Sequence, residues 1–315
     1  MKILFAAQED AWGGVLHLLR GKFPQHEFVA SGRFGFDSLK GFDILIPTMA
    51  AVKREHLAGA DSLKLIQQCG AGLENVDLQT AKELGIKVAN VPTDISGNAD
   101  SVAELGIYLM VGLARRFREM AQSMASRQMG TPKGRAVKGK TVGIIGLGGI
   151  GRALIKRLKA FDVRLIGIKQ SEPEKAAAEL GLGWAGTPDK LDELLEQSDF
   201  VVLCLPATDR SRNMIDRKAF AAMKRHPFLI NLGRGGLVDR EALLDALSSG
   251  QIAGAGLDVF WEEPPDPLDP IFSYNVLTTP HIAGSTDIST DGIVTVMSEN
   301  FRRLEAGGEI LHRRA

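Results

Sequence analysis

The stretch TVGIIGLGGIG, residues 141–151, constrains this chain more than any other. Val142, Ile144 and Ile145 are apolar β-formers that run into Gly146, Gly148 and Gly151, three glycines with the spacing G-x-G-x-x-G. Leu154, Ile155, Leu158 and Phe161 then recur at helical spacing. A buried strand, a tight glycine turn and a helix N-terminus therefore follow one another without a gap. In that arrangement the first glycine makes the turn, the second lets backbone approach a ligand, and the third lets the helix pack on the strand. The unpaired N–H groups of the helix start suit a pyrophosphate. Glycines also mark ordinary strand-to-helix turns, but the flanking strand and helix favour a dinucleotide site, with Gly149 and Ile150 inside its loop.

The remaining chain alternates apolar runs with helical patterns. KILFAA, FDILIPT, LKLIQQ and IKVANVP read as strands before residue 97, with helical stretches at 15–19 and beyond Asp77. After the glycine turn, RLIGIK, DFVVLCLP, FLINLG and AGAGLDVF read as strands. EPEKAAAEL, LDELLEQ and REALLDALSSG read as helices, with Thr187 and Pro188 as cap and first turn of the second. This order implies α/β architecture: two doubly wound parallel-sheet domains, a Rossmann-type cofactor domain (98–283) inserted in a flavodoxin-like substrate domain (1–97 plus 284–315). Residues 98–124 read as one long helix, with Ser101 and Glu104 spaced as a capping box. Its first half, LGIYLMVGLA, is apolar nearly all round. With the basic, glycine-rich loop at 130–139, that helix is expected to build a homodimer.

Composition narrows the classes further. Thirty-eight basic and 38 acidic side chains cancel, so no net field favours nucleic acid or an anionic membrane. Cys69 and Cys204 are too few for a disulfide framework, and Cys204 in VVLCLP reads as a buried thiol. The start MKILFAAQED is too short for a secretory apolar region, and no run reaches membrane-spanning length, so a cytoplasmic location is expected. No metal site is read from the sequence.

Three stretches place reactive side chains where strands end, which is where doubly wound sheets bind ligands. NLGRGG sets Arg234 among glycines, GLDVFWEEP offers Asp258, Glu262 and Glu263, and TPHIAG supplies His281. With CGAGLENVDL, NADSVAE and TVGIIGLGGIG, these pieces span residues 68–286 and closely resemble the D-isomer-specific 2-hydroxyacid dehydrogenase family. The resemblance implies an NAD(P)-dependent oxidoreductase acting on the CH–OH group. It would move a hydride between the cofactor and a small 2-keto or D-2-hydroxy acid. Arg234 would bind substrate carboxylate and carbonyl oxygen, His281 would be proton donor and acceptor, and Glu263 would orient the imidazole. Asp258 would stand on the nicotinamide side, Leu205 and Pro206 on the adenine side. Leu232, Gly233, Arg234, His281 and Gly284 would complete the cofactor contacts. Backbone N–H groups of Gly70, Ala71 and Gly72 would hold the substrate carboxylate, with Asn98 nearby.

Some positions depart from the commonest family pattern. Gly149 stands where an arginine or a bulkier side chain is frequent. Glu263 is a glutamine in the formate-oxidising branch, and Ala71 is a lysine in the phosphite-oxidising branch, so neither substrate is expected. Small side chains at Pro47 and Thr48 and a flexible one at Met49 suggest a glyoxylate- or hydroxypyruvate-like acid. A phosphoglycerate dehydrogenase-like enzyme is the alternative, in a short form because no regulatory domain follows before Ala315. A dinucleotide-sensing binding protein is the other alternative, disfavoured by the lack of disordered flanking tails. The acidic residue that binds the adenosine ribose of NAD aligns with Lys169, 18 residues after Gly151. A lysine there attracts a 2′-phosphate, so NADP is expected over NAD.

Overall fold

The computed structural model describes residues 1–315 and divides into two compact units, Met1–Ser101 with Gly284–Ala315 (unit 1) and Val102–Ala283 (unit 2). In chain order, the elements up to the first long helix are β1 (Lys2–Phe5), α1 (Ala11–Lys22), β2 (Glu27–Ala30), β3 (Ile44–Ile46), α2 (Arg54–Ala58), β4 (Leu65–Gln67), α3 (Leu78–Glu83), β5 (Lys87–Ala89) and α4 (Asn98–Ala114). Next come α5 (Phe117–Ala125), β6 (Thr141–Ile145), α6 (Gly149–Leu158), β7 (Arg164–Ile168), α7 (Pro173–Leu180), β8 (Trp184–Gly186), α8 (Leu191–Gln197) and β9 (Phe200–Leu203). The chain finishes with α9 (Arg217–Ala222), β10 (Phe228–Asn231), α10 (Arg240–Ser248), β11 (Gly254–Leu257), β12 (Val276–Thr278) and α11 (Asp287–Glu305). No helix is long and apolar enough to cross a membrane.

Unit 1 is a five-stranded parallel sheet in the order β2-β1-β3-β4-β5. Its strands are apolar at successive positions because both faces are covered. Ile3, Phe5, Ile44 and Ile46 join one core. Leu4, Ala6 and Leu45 point the other way into a second. The C-terminal helix α11 packs against α1, with Phe301 wholly buried and 5.7 Å from the Phe23 ring. The last residues lie along β5, where Arg314 N donates to Val88 O at 2.7 Å.

Unit 2 is a seven-stranded parallel sheet, β12-β11-β10-β9-β6-β7-β8. The same two-period division holds: Ile145, Val201, Leu203 and Leu229 face one core, Val142, Ile144, Val202 and Ile230 the other. The fold is therefore two doubly wound parallel α/β sheets, the second of Rossmann type. Both cysteines are buried, and burial pushes each thiol up to about 12, which leaves neither as a nucleophile.

The helix expected over 98–124 is two helices. Ala114 O accepts from Arg135 N at 2.7 Å instead of continuing the helix, and Arg116 turns into the left-handed region (φ 57°) before α5 begins. Gly134 passes so close that a β-carbon there would lie 2.9 Å from Ala114 O. Ser101 does not cap either helix. It lies within α4, where its Oγ contacts Gly97 O and Thr286 Oγ1, while Glu104 pairs with Arg157 at 3.0 Å. Thr187 likewise bonds the Asp189 side chain rather than capping a helix backbone. Periodicity also missed β2, β8, α2 and α9, all of six residues or fewer.

Candidate active site

In unit 2 the candidate residues gather at the C-terminal ends of the strands. Gly146, after β6, has φ +98°, and a β-carbon there would meet Cys204 O at 2.7 Å and Leu205 Cβ at 2.9 Å. This is the topological switch between β6 and β9, the ordinary binding crevice of an open α/β sheet. A β-carbon on Gly151 would overlap Gly146 O, so that position admits only glycine. Gly148 caps α6 and has nothing within 4 Å of where its β-carbon would be. The loop is thus closed on its protein side and open on the other. Gly149 and Ile150 open the ten-residue helix, whose first N–H groups point into that opening. These features fit a dinucleotide pyrophosphate. Leu205 and Pro206 follow β9 on the opposite side of the switch.

β10 delivers Arg234. Asn231, 1% exposed, braces its loop: Asn231 Nδ2 donates to Arg234 O at 2.8 Å and its Oδ1 accepts from Gly233 N at 3.0 Å. Gly233 lies against Leu205 O, Gly235 against the Phe260 carbonyl, and Leu232 against Gly106 of α4, so the turn has no slack. Arg234 is half-buried and donates to Gly233 O at 2.7 Å.

The loops after β11 and β12 deliver Glu263 and His281. Glu263 Oε2 is 2.7 Å from His281 Nδ1, and Glu263 Oε1 accepts from Phe260 N at 2.9 Å. Burial alone would raise the Glu263 carboxyl. The His281 hydrogen bond and charge, the Phe260 N–H and the Arg234 charge together outweigh it and hold the group below the ordinary range. Asp258, 2% exposed, is displaced the other way, mainly by burial. Its carboxylate accepts from Thr279 Oγ1 (2.7 Å), Ile282 N (3.0 Å) and Ala283 N (3.2 Å). The residue expected near nicotinamide is therefore also the brace of the loop that carries His281, whose own backbone is left-handed (φ 54°). Asn231 and Thr279 were not singled out from the sequence. Their signal was a hydrogen-bonding side chain at the end of an apolar strand.

Lys169 follows β7, with its N–H on Gly186 O at 2.9 Å. It lines a pocket of about 110 Å³ with Arg152, Glu172, Lys175, Ala176 and Glu179. Glu179 pairs with Arg152 (3.3 Å) and Glu172 with Lys175 (3.5 Å), so each carboxylate is engaged by another cation.

In unit 1, residues 70–72 follow β4. Val91 N donates to Gly70 O at 3.0 Å and Asn90 Nδ2 to Ala71 O at 2.7 Å, which leaves the loop held through its carbonyls. Asn98 begins α4, donates to Ser289 Oγ at 3.3 Å, and covers Gly284 so closely that a β-carbon there would collide with its amide. Gly284, expected among the cofactor contacts, thus lies in unit 1 against Asn98.

The Glu263 shift fixes a sign. Its carboxyl binds its proton more weakly when folded, so the stability it contributes is complete above its ordinary value of 4.5 and is lost as pH falls through the depressed folded value. The stability gap between wild type and Glu263→Gln should shrink as pH falls below about 4.5, read by denaturant melts across pH. A gap that grows on acidification would contradict the ion pair.

The chain matches D-isomer specific 2-hydroxyacid dehydrogenase, NAD binding domain, over residues 107–283. It is 38% identical to a hydroxypyruvate reductase of Thermotoga maritima over 255 residues, covering 78% of each chain. It is 35% identical to a D-3-phosphoglycerate dehydrogenase of Methanocaldococcus jannaschii over 274 residues, 86% of this chain but 51% of that protein. The chain therefore spans about half the length of that relative. Among solved structures, an NADPH-dependent glyoxylate/hydroxypyruvate reductase of Sinorhizobium meliloti, in complex with NADP and malonate, superposes with a TM-score of 0.84. It is 27% identical, with 100% of this chain and 96% of that one covered. The chain belongs to the D-isomer specific 2-hydroxyacid dehydrogenase family.

Proposed function

We propose that this protein reduces small 2-keto acids to D-2-hydroxy acids with a reduced nicotinamide cofactor, preferring NADPH. The observation that carries this reading is the Glu263–His281 pair at 2.7 Å, in the same unit as a braced Arg234 and the glycine turn. The bound cofactor supplies the hydride. With Nδ1 held by a carboxylate, Nε2 is the ring nitrogen that exchanges a proton. It gives that proton to the carbonyl oxygen as the carbonyl carbon takes the hydride, and takes it back in oxidation. The Arg234 guanidinium grips the substrate carboxylate as a fork and polarises the carbonyl. In unit 1, the N–H groups of residues 70–72 are the proposed carboxylate contacts. Relatives that are hydroxypyruvate and glyoxylate reductases support a short acid.

Two substitutions test the catalytic assignment. His281→Ala should slow the chemical step by roughly 100-fold or more with cofactor affinity little changed. Arg234→Lys keeps charge but loses the fork, so reduction should fall sharply. Steady-state kinetics over a keto-acid panel decides both, and near-normal turnover in His281→Ala removes it from the mechanism.

Cofactor preference rests on Lys169. Its pocket holds three cations and two carboxylates, so one positive charge remains for a 2′-phosphate. NADPH should have the higher kcat/KM, with an advantage that weakens as salt screens the attraction. Lys169→Asp should shift the NADPH/NADH ratio by about 10-fold or more toward NADH. A wild type that prefers NADH would overturn this assignment.

Unit 2 is further proposed to pair with a second copy. Tyr108 of α4 is 42% exposed, Phe117 and Met124 of α5 are 46% and 69% exposed, and Met129 just beyond is 83% exposed. The Tyr108 and Phe117 rings lie 6.3 Å apart, and exposed apolar side chains of this size are costly to leave in water. Light scattering should give a dimer at micromolar concentration, and Tyr108→Asp with Met124→Glu should give monomers. A stable wild-type monomer would refute the pairing.

A further inference from the structure

In unit 1, as in unit 2, the sheet has a switch point, here between β1 and β3. Thr48 sits there, just after β3, 7% exposed and with φ +53°. A β-branched residue enters that region only where its surroundings force it, and such strain collects where backbone must be placed for a ligand. The constraints on Thr48 are visible. Its Oγ1 donates to Ala6 O at 2.7 Å, and its carbonyl accepts from Gln68 Nε2 at 2.8 Å. The next carbonyl, Met49 O, accepts from Asn75 Nδ2 at 3.0 Å.

Gln68 is 6% exposed and stands two residues before Gly70, where the loop proposed to bind the substrate carboxylate begins. Its Oε1 also accepts from Cys69 N at 3.0 Å. One buried amide thus ties the backbone at Thr48 to the backbone that leads into residues 70–72. Asn75, on the far side of that loop, fastens the adjacent peptide. Two consecutive carbonyls of the 47–49 segment are therefore held by side chains that bracket the 70–72 loop, and none of these ties carries a net charge.

We infer that Gln68 is a positioning residue that, through Thr48, fixes the 47–49 segment against the 70–72 loop and so makes the site select 2-keto acids with short side chains. This rests on the keto-acid reading above and adds a determinant of substrate size. Gln68 touches no reacting atom in this role. It sets how far the Met49 peptide stands from the carboxylate-binding backbone, and a rigid spacing excludes longer acids while a loosened one admits them.

The test compares wild type, Gln68→Met and Asn75→Ala on glyoxylate, pyruvate and 2-ketobutyrate, with thermal melts and cofactor KM beside the kinetics. Gln68→Met is neutral and of similar length but makes neither hydrogen bond. It should raise the glyoxylate KM by about 10-fold, leave the cofactor KM within about twofold, and flatten the preference among the three acids. A lowered melting temperature with unchanged keto-acid KM and unchanged preference would make Gln68 a structural fastener only and overturn the inference. Should Gln68→Met not fold, Asn75→Ala carries the test, since it releases Met49 O from an exposed position. It should flatten the preference in the same direction, and an unaltered preference there also overturns the inference. If wild type reduces none of the acids, the keto-acid reading falls and this inference with it. If wild type reduces them and the variants match it, only this inference falls.

Discussion

The α-carbon of Gly151 and the carbonyl of Gly146 stand so close that no side chain fits between them, and unit 2 is arranged around that contact. It brings α6 down onto β6, with Leu154, Ile155 and Leu158 buried in the same core as Val142 and Ile144. The approach on the other side is as tight, because Gly146 lies against the Cys204 carbonyl where β9 ends. Strand, helix and neighbouring strand are thus locked at the switch point, and the only open side of the turn is the one that Gly148 faces. A side chain at Gly146 or Gly151 would separate helix from strand. The motif's specificity is therefore steric first, and its affinity for anions follows from where the helix N-terminus comes to rest.

The second dependency is electrostatic. Asp258 and Glu263 are five positions apart, both largely buried, and displaced in opposite directions. For Asp258, burial prevails over the hydroxyl and two N–H groups that it accepts from, and over the His281 charge. For Glu263, the same penalty is outweighed by the His281 ring, the Phe260 N–H and the Arg234 charge. A single fold thus gives two neighbouring carboxyls different jobs through environment alone. Asp258 braces the 279–283 turn, and that turn fixes the imidazole that Glu263 holds by Nδ1.

Much of this was legible because buried parallel strands are apolar at successive positions and end at glycine, proline or polar residues. DFVVLCLP, FLINLG and AGAGLDVF announce both the strand and the loop that it feeds. The short elements were illegible for a physical reason. EFVA and WAG are edge strands half open to solvent, so they lack the continuous apolar run of their neighbours. The break after Ala114 was hidden because its cause, Arg135 N competing for the Ala114 carbonyl, lies 21 residues away. Ser101 had the spacing of a cap but the setting of a helix interior. Asn231, Thr279 and Gln68 were invisible in the same sense, since an amide or hydroxyl at a strand end declares its role only when its partner backbone is in place.

The two units solve the placing of a reactive loop with different chemistry. Unit 2 adds charge to neutral ties such as the Asn231 amide: a buried carboxylate under the His281 turn, a carboxylate–imidazole pair and a guanidinium. Unit 1 fastens its loops chiefly with neutral amides, Gln68 on Thr48 O, Asn75 on Met49 O and Asn90 on Ala71 O. For a loop whose proposed ligand is an anion, the neutral choice has a consequence. A carboxylate brace beside residues 70–72 would repel the substrate, and a buried cation would require a counter-charge of its own. Amides offer directional bonds with neither penalty, and using carbonyls as acceptors leaves the backbone N–H groups to face an anion. Charge is thereby reserved for the unit whose residues are proposed to move the proton, while the loops that carry unit 1's proposed carboxylate contacts are set by hydrogen-bond geometry.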